Sequence, residues 1–130
     1  MKISAVGDLR HPDAWRHRGD PTRRNPNVDF EFRQTDHEGE MVCYVREARD
    51  SDGILINPGA WSHYSYAMHD ALEAVEGVLK LEIHPSNVHA SESWRRHSVI
   101  SPGVDVAVAG MVHCGYGAAV GFVLNQSKVR

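Results

Sequence analysis

The sequence predicts an α/β domain whose parallel sheet is covered by helices on both faces, and three observations lead there. Short β-type runs recur at residues 3–6, 28–32, 53–56, 79–84 and 104–109. Segments with helical periodicity follow at 38–48, 66–75 and 115–124. The 130 residues suffice for one hydrophobic core and are few for two, so 1–130 reads as a single domain. Strand alternating with helix then argues a flavodoxin-like three-layer sandwich on a five-stranded parallel sheet.

Residues 3–6 are an apolar strand, and the link that follows, DLRHPDAWRHRGDPTRRNPN at 8–27, has almost no apolar periodicity. Pro12, Pro21 and Pro26 leave room only for a short helix at 13–19, so the segment is expected to be a loop. Residues 38–48 put Met41, Val42 and Val45 on one face, and 66–75 do the same with Ala67, Ala71, Leu72 and Val75. Residues 115–124 are apolar enough for a largely buried helix.

Composition excludes some functions. The formal charge is -3 and the basic residues are scattered, which argues against nucleic acid as a partner. No apolar run is long enough for a signal-peptide core or a membrane span, so a cytoplasmic location is expected. Cys43 and Cys114 form no CxxC and are expected to be reduced, partly buried thiols. Nine His residues invite a metal, but no HxH or HExxH occurs, so neither a metal nor any other cofactor is expected.

The candidate chemistry lies at strand ends. Glu82 and His84 are two apart on a strand and therefore share a face. Glu82 can accept the imidazole N–H and fix the tautomer, leaving the other nitrogen to exchange a proton with a ligand. One strand earlier, ILINPGAWSH ends in Asn57 and Gly59, where an open α/β sheet binds ligands. Ser62 is placed to cap the following helix, with His63 and Asp70 two turns apart near one face; an ordinary Ser-capped helix explains Ser62 equally well. Arg95 and Arg96 supply positive charge suited to a carboxylate or polyol.

The segments QTDHEGEM (34–41), ILINPGAWSHYSYAMHDAL (54–72), LEIHPSNVHASESWRRHSVIS (81–101) and GMVHCGYGAAV (110–120) together resemble type II 3-dehydroquinate dehydratases. The resemblance implies a flavodoxin-like fold, trimers grouped into dodecamers, and a cofactor-free hydro-lyase of the shikimate pathway. Such an enzyme removes water from a cyclic hydroxy-ketone acid by anti elimination through an enolate. It makes His84 the general acid, Glu82 its orienting partner and Asn57 a holder of the leaving group or carboxylate. It also makes Ser86 a backbone donor to the carboxylate, His63 and Arg95 ligands of ring hydroxyls, Gly59 part of the wall, and Asp70 a residue presented across the trimer interface.

The base end departs from the family pattern. The family carries NGPNLNLLGxREPxxYG after its first strand, whose Tyr takes the proton, and this chain has no Tyr before Tyr44. Asp8, His11 and His17 are the candidate substitutes, and Arg16 or Arg18 stands only loosely where the lid Arg belongs. Pro85 replaces a Leu or Ile and removes one N–H donor to the substrate carboxylate. Ser91 replaces the Arg of the family's VHARE. The expectation is a dehydratase of a small hydroxylated cyclic or keto-acid substrate. The alternatives are a genuine 3-dehydroquinate dehydratase with a substitute base, or a ligand-binding homologue without catalysis.

Overall fold

The computed structural model describes residues 1–8 and 21–129. Five strands, β1 (Lys2–Asp8), β2 (Asp29–Thr35), β3 (Gly53–Asn57), β4 (Leu79–His84) and β5 (Val106–Ala109), form one sheet in the order β2-β1-β3-β4-β5. Every neighbouring pair is parallel. This is the expected flavodoxin-like order, in which the chain reverses its direction of travel across the sheet between β1 and β3. At that switch Gly7 lies opposite Asn57.

The helices are α1 (Pro21–Arg24), α2 (Glu38–Glu47), α3 (Tyr66–Glu73) and α4 (Cys114–Val129). The expected short helix at 13–19 lies outside the described residues. Of the link's described part, Pro21–Arg24 forms one helical turn, with proline at the position where a missing N–H costs nothing.

The period of two along each strand sends alternate side chains to opposite layers. Val6, Ile54 and Ile56 meet Met41, Val45, Met68, Ala71 and Leu72 of α2 and α3. On the other face Ile3, Ala5, Leu55, Leu81 and Ile83 meet Tyr116, Ala119, Val120 and Val123 of α4. Each such Leu or Ile, once withdrawn from water, contributes about 1.5–3 kcal/mol. The close approach of α4 depends on Gly53, where an added Cβ would lie 3.0 Å from Val123 Cγ1.

Three expectations need correction. The apolar face of α3 uses Met68 rather than Ala67, which is exposed. Both cysteines are exposed, because each lies on the outward side of its helix. The cap of α3 is Ser65, whose hydroxyl accepts from Met68 N–H at 3.2 Å and donates to Glu38 of α2. Ser62 instead sits buried in a 3-10 turn, Gly59–His63, so His63 precedes the helix and shares no helical face with Asp70.

Candidate active site

Leu81 and Ile83 are committed to the α4 layer, so Glu82 and His84 must point the other way, above the loops that follow β4. There Glu82 is 1% exposed and His84 8%. His84 Nε2 lies 2.7 Å from Glu82 Oε1. An ionised carboxylate can only accept, so Nε2 carries the hydrogen and Nδ1 is the free site of the neutral ring. The expected pairing is therefore present, in a buried setting.

Glu82 also receives two hydroxyls. Ser98 Oγ donates to Oε1 at 3.1 Å and approaches Oε2 at 3.4 Å, while Ser101 Oγ donates to Oε2. Burial pushes the Glu82 carboxyl up, but hydrogen bonds from His84, Ser101 and Ser98 outweigh it and hold the group below the ordinary carboxylate range. Neither serine is predicted from the sequence as a site residue. The only local signal is the spacing of three between Ser98 and Ser101, which suits a turn as well as a site.

Asn57 ends β3 on the opposite layer and is 2% exposed. Its Oδ1 accepts from Gly59 N–H at 3.3 Å, and its amide is hydrogen-bonded to the buried phenol of Tyr116 from α4. Burial raises the Tyr116 pKa, and the bond with Asn57 partly offsets this. Gly59 has φ +55°, a conformation that opens the 3-10 turn and that other residues adopt at a cost.

His63 closes that turn. Its Nδ1 lies 2.7 Å from the carbonyl oxygen of His97, which fixes the hydrogen on Nδ1 and leaves Nε2 an acceptor. Nε2 is buried and has no protein partner among the described residues. The rings of His63 and His84 are nearly parallel, 6.4 Å apart at their centroids. Trp94 stands edge-on to His63 at 5.1 Å and carries the Arg95 guanidinium over its face at 4.1 Å. Arg95 Nε donates to Glu92 at 2.8 Å.

These groups converge. Asn57, Gly59, His63, His84, Ser86 and Arg95, with Pro85 and Val88, line one open cleft of about 330 Å³. A second cleft of about 490 Å³ runs along the other side of His84, past Glu82, Arg95, Arg96, Ser98 and Ser101. Backbone bonds lock the walls: Val99 N–H to Ser62 O at 2.8 Å, and Val112 N–H to Pro85 O at 2.8 Å. Asp70 is not in either cleft; it is exposed on α3. Asp8 ends β1 beside this edge, whereas His11, His17, Arg16 and Arg18 lie outside the described residues. Among the described residues no group of three or more His, Cys, Asp or Glu could hold a metal ion, and no helix is long and apolar enough to cross a membrane.

The arrangement offers a proton donor aligned by a buried carboxylate, an acceptor nitrogen facing it, and a cation at the rim. Known proteins similar to this chain point to one family. A model of the family described as "Dehydroquinase class II" matches residues 14–124. A 3-dehydroquinate dehydratase of Thermotoga neapolitana is 42% identical over 125 residues, 96% of this chain and 84% of that protein. A catabolic 3-dehydroquinase of Verticillium alfalfae is 44% identical over 105 residues, 80% of this chain and 69% of that protein. The crystal structure of a type II dehydroquinase from Butyrivibrio crossotus superposes with a TM-score of 0.85 at 31% identity, covering 95% of this chain and 97% of that one. With a family match across most of its length and relatives this similar, the chain belongs to the type II dehydroquinase family.

Proposed function

We propose that the protein is a hydro-lyase that eliminates water from a small hydroxylated cyclic keto acid, with 3-dehydroquinate the first substrate to test. The observation that carries this reading is the buried Glu82–His84 pair opening on a cleft that also holds Asn57, His63 and Arg95. In the elimination a base removes the proton next to the ketone, the electrons form an enolate, and the departing hydroxyl must leave as water. His84 supplies that proton from Nδ1, because Nε2 is engaged with Glu82, and the Glu82 charge steadies the imidazolium before the transfer. His63 Nε2 accepts a substrate hydroxyl, Asn57 offers its amide to the leaving oxygen or carboxylate, and Arg95 with the Ser86 N–H attracts the carboxylate. Pro85 withholds a second backbone donor, a loss of about 1.5–3 kcal/mol for a buried anion. The base comes from the segment after β1, with Asp8, His11 and His17 as candidates, or from a neighbouring copy. Exposed Asp70 suits a role at a contact between subunits of a homo-oligomer, a trimer or dodecamer.

The test is incubation of purified protein with 3-dehydroquinate, following absorbance of the conjugated enone product. Turnover by the wild type that is lost in His84→Ala supports the reading. No turnover by the wild type overturns 3-dehydroquinate as substrate, and turnover unchanged in His84→Ala overturns the role of His84. A second reading, binding without catalysis, is favoured by the absence of any Tyr before Tyr44. It predicts that 3-dehydroquinate protects the fold against heat without being consumed.

A further inference from the structure

The Glu82 carboxylate is the deepest charge at the site, and His84 is its one ion-pair partner among the described residues. An isolated buried carboxylate is costly and tends to take up a proton. A protonated Glu82 would also be a poor anchor for an N–H, since its acceptor capacity is reduced. Something must therefore keep it ionised and aligned.

We propose that Ser98 and Ser101 are positioning residues that hold Glu82 as a doubly capped carboxylate and thereby fix His84 with its hydrogen on Nε2. The inference rests on the reading of His84 as the acid of the elimination. Its geometric core is the direction of the Ser98 hydroxyl. A hydroxyl has one hydrogen to give and two lone pairs to receive. Ser98 Oγ already accepts from Ile100 N–H at 3.2 Å and from Ser101 N–H at 3.0 Å. Both lone pairs are used, so towards Glu82 it can only donate, and a proton on that side of Glu82 would face another hydrogen. Ser101, in the 3-10 turn Ser101–Gly103, closes the second oxygen. Oε1 thus receives His84 and Ser98 and has no place for a proton, while Oε2 receives Ser101. Among the described residues, the other titratable or charged groups beside the pair in the two clefts are His63, across from His84, and His89, Arg95 and Arg96 along the larger cleft. Strand β5 contributes only Ala107, Val108 and Ala109 to that wall.

The test compares Ser101→Ala, Ser98→Ala and the double variant with Ser98→Thr and Ser101→Thr, which keep the hydroxyl. Two readouts are taken: the pH profile of kcat with 3-dehydroquinate, and the ¹⁵N shifts of the His84 ring. Each alanine is expected to lower kcat about tenfold with KM little changed, as for one hydrogen bond to a charged group. The acidic limb should rise by about one pH unit as Glu82 protonates more readily, and the threonines should restore it. The ring spectrum of the double variant should gain the Nδ1–H tautomer. Ser101→Ala keeps the Ser98 turn intact, so it reports even if Ser98→Ala does not fold. An unmoved acidic limb together with an unchanged His84 tautomer in folded Ser101→Ala overturns the proposal. If the wild type has no turnover, the proposed substrate fails, and the ring spectrum alone still decides the role of the two serines.

Discussion

After β3 the chain leaves the sheet through Asn57, whose amide is held by a phenol and a backbone N–H. After β4 it leaves through His84, whose ring is held by a buried carboxylate and, behind that, two hydroxyls. The two turns form adjacent walls of one cleft and are joined by the Val99–Ser62 backbone bond. The first wall carries no carboxylate in the cleft and is set by backbone shape, including the left-handed Gly59, with His63 at its end. The second is charged and set by hydrogen-bond polarity. The difference separates tasks: the Asn57 amide can grip a ligand without changing its own protonation, while the carboxylate-backed imidazole can move a proton and must answer to pH.

The largest test of that contrast is removal of the proton donor. His84→Ala should lower kcat by two to four orders of magnitude, the usual worth of a positioned acid, with KM for 3-dehydroquinate changed far less. An equal loss from Asn57→Ala would erase the distinction between the walls.

The next test is pH. Because the folded-state pKa of Glu82 lies below its ordinary value of 4.5, the folded protein binds this proton less readily than the unfolded chain. Its contribution to stability is complete above about 4.5 and is lost as pH falls through the lower, folded value. Urea midpoints measured from pH 7 down to pH 3 should fall more steeply in the wild type than in Glu82→Gln. Parallel curves would show that the charged wall carries no such linkage.

A smaller effect is expected at the Asn57 wall. Tyr116→Phe removes the hydroxyl from Asn57 and should cost about 1 kcal/mol in urea unfolding, with no movement of the pH profile. A moved profile would mean that the two walls share their electrostatics.

The smallest effect is a gain. Val112 has φ +49° although it is β-branched and exposed, and its N–H binds Pro85 O beneath the charged wall. Val112→Gly should stabilise the fold by about 1 kcal/mol, read as a higher melting temperature. Reduced kcat in that variant would show that the strained loop helps hold the turn after β4.

Much of this was legible in the chain itself. The five strand positions follow from short apolar runs, although β2 extends past its expected end and β5 begins later than expected, because residues 104 and 105 still bend away from the preceding 3-10 turn. The shared face of Glu82 and His84 follows from the two-residue period of a strand. The identity of the α3 cap did not follow, since Ser62 and Ser65 both precede an apolar run and only the turn geometry chooses between them. The exposure of the cysteines and of Ala67 did not follow for a related reason: a small side chain at the edge of an apolar stripe can face either way without breaking the helical period.

The alternation of strand and helix, the polarity of each strand face and the residues that end β3 and β4 can all be read along the chain, because they depend on periods of two and 3.6 along the backbone. That Ser98 and Ser101, 16 and 19 residues beyond Glu82, turn back to hold it, and that Tyr116 reaches Asn57 through the far layer, emerges only in the packed fold. Those contacts are made across loops and layers whose closure is set by packing, which no local period records.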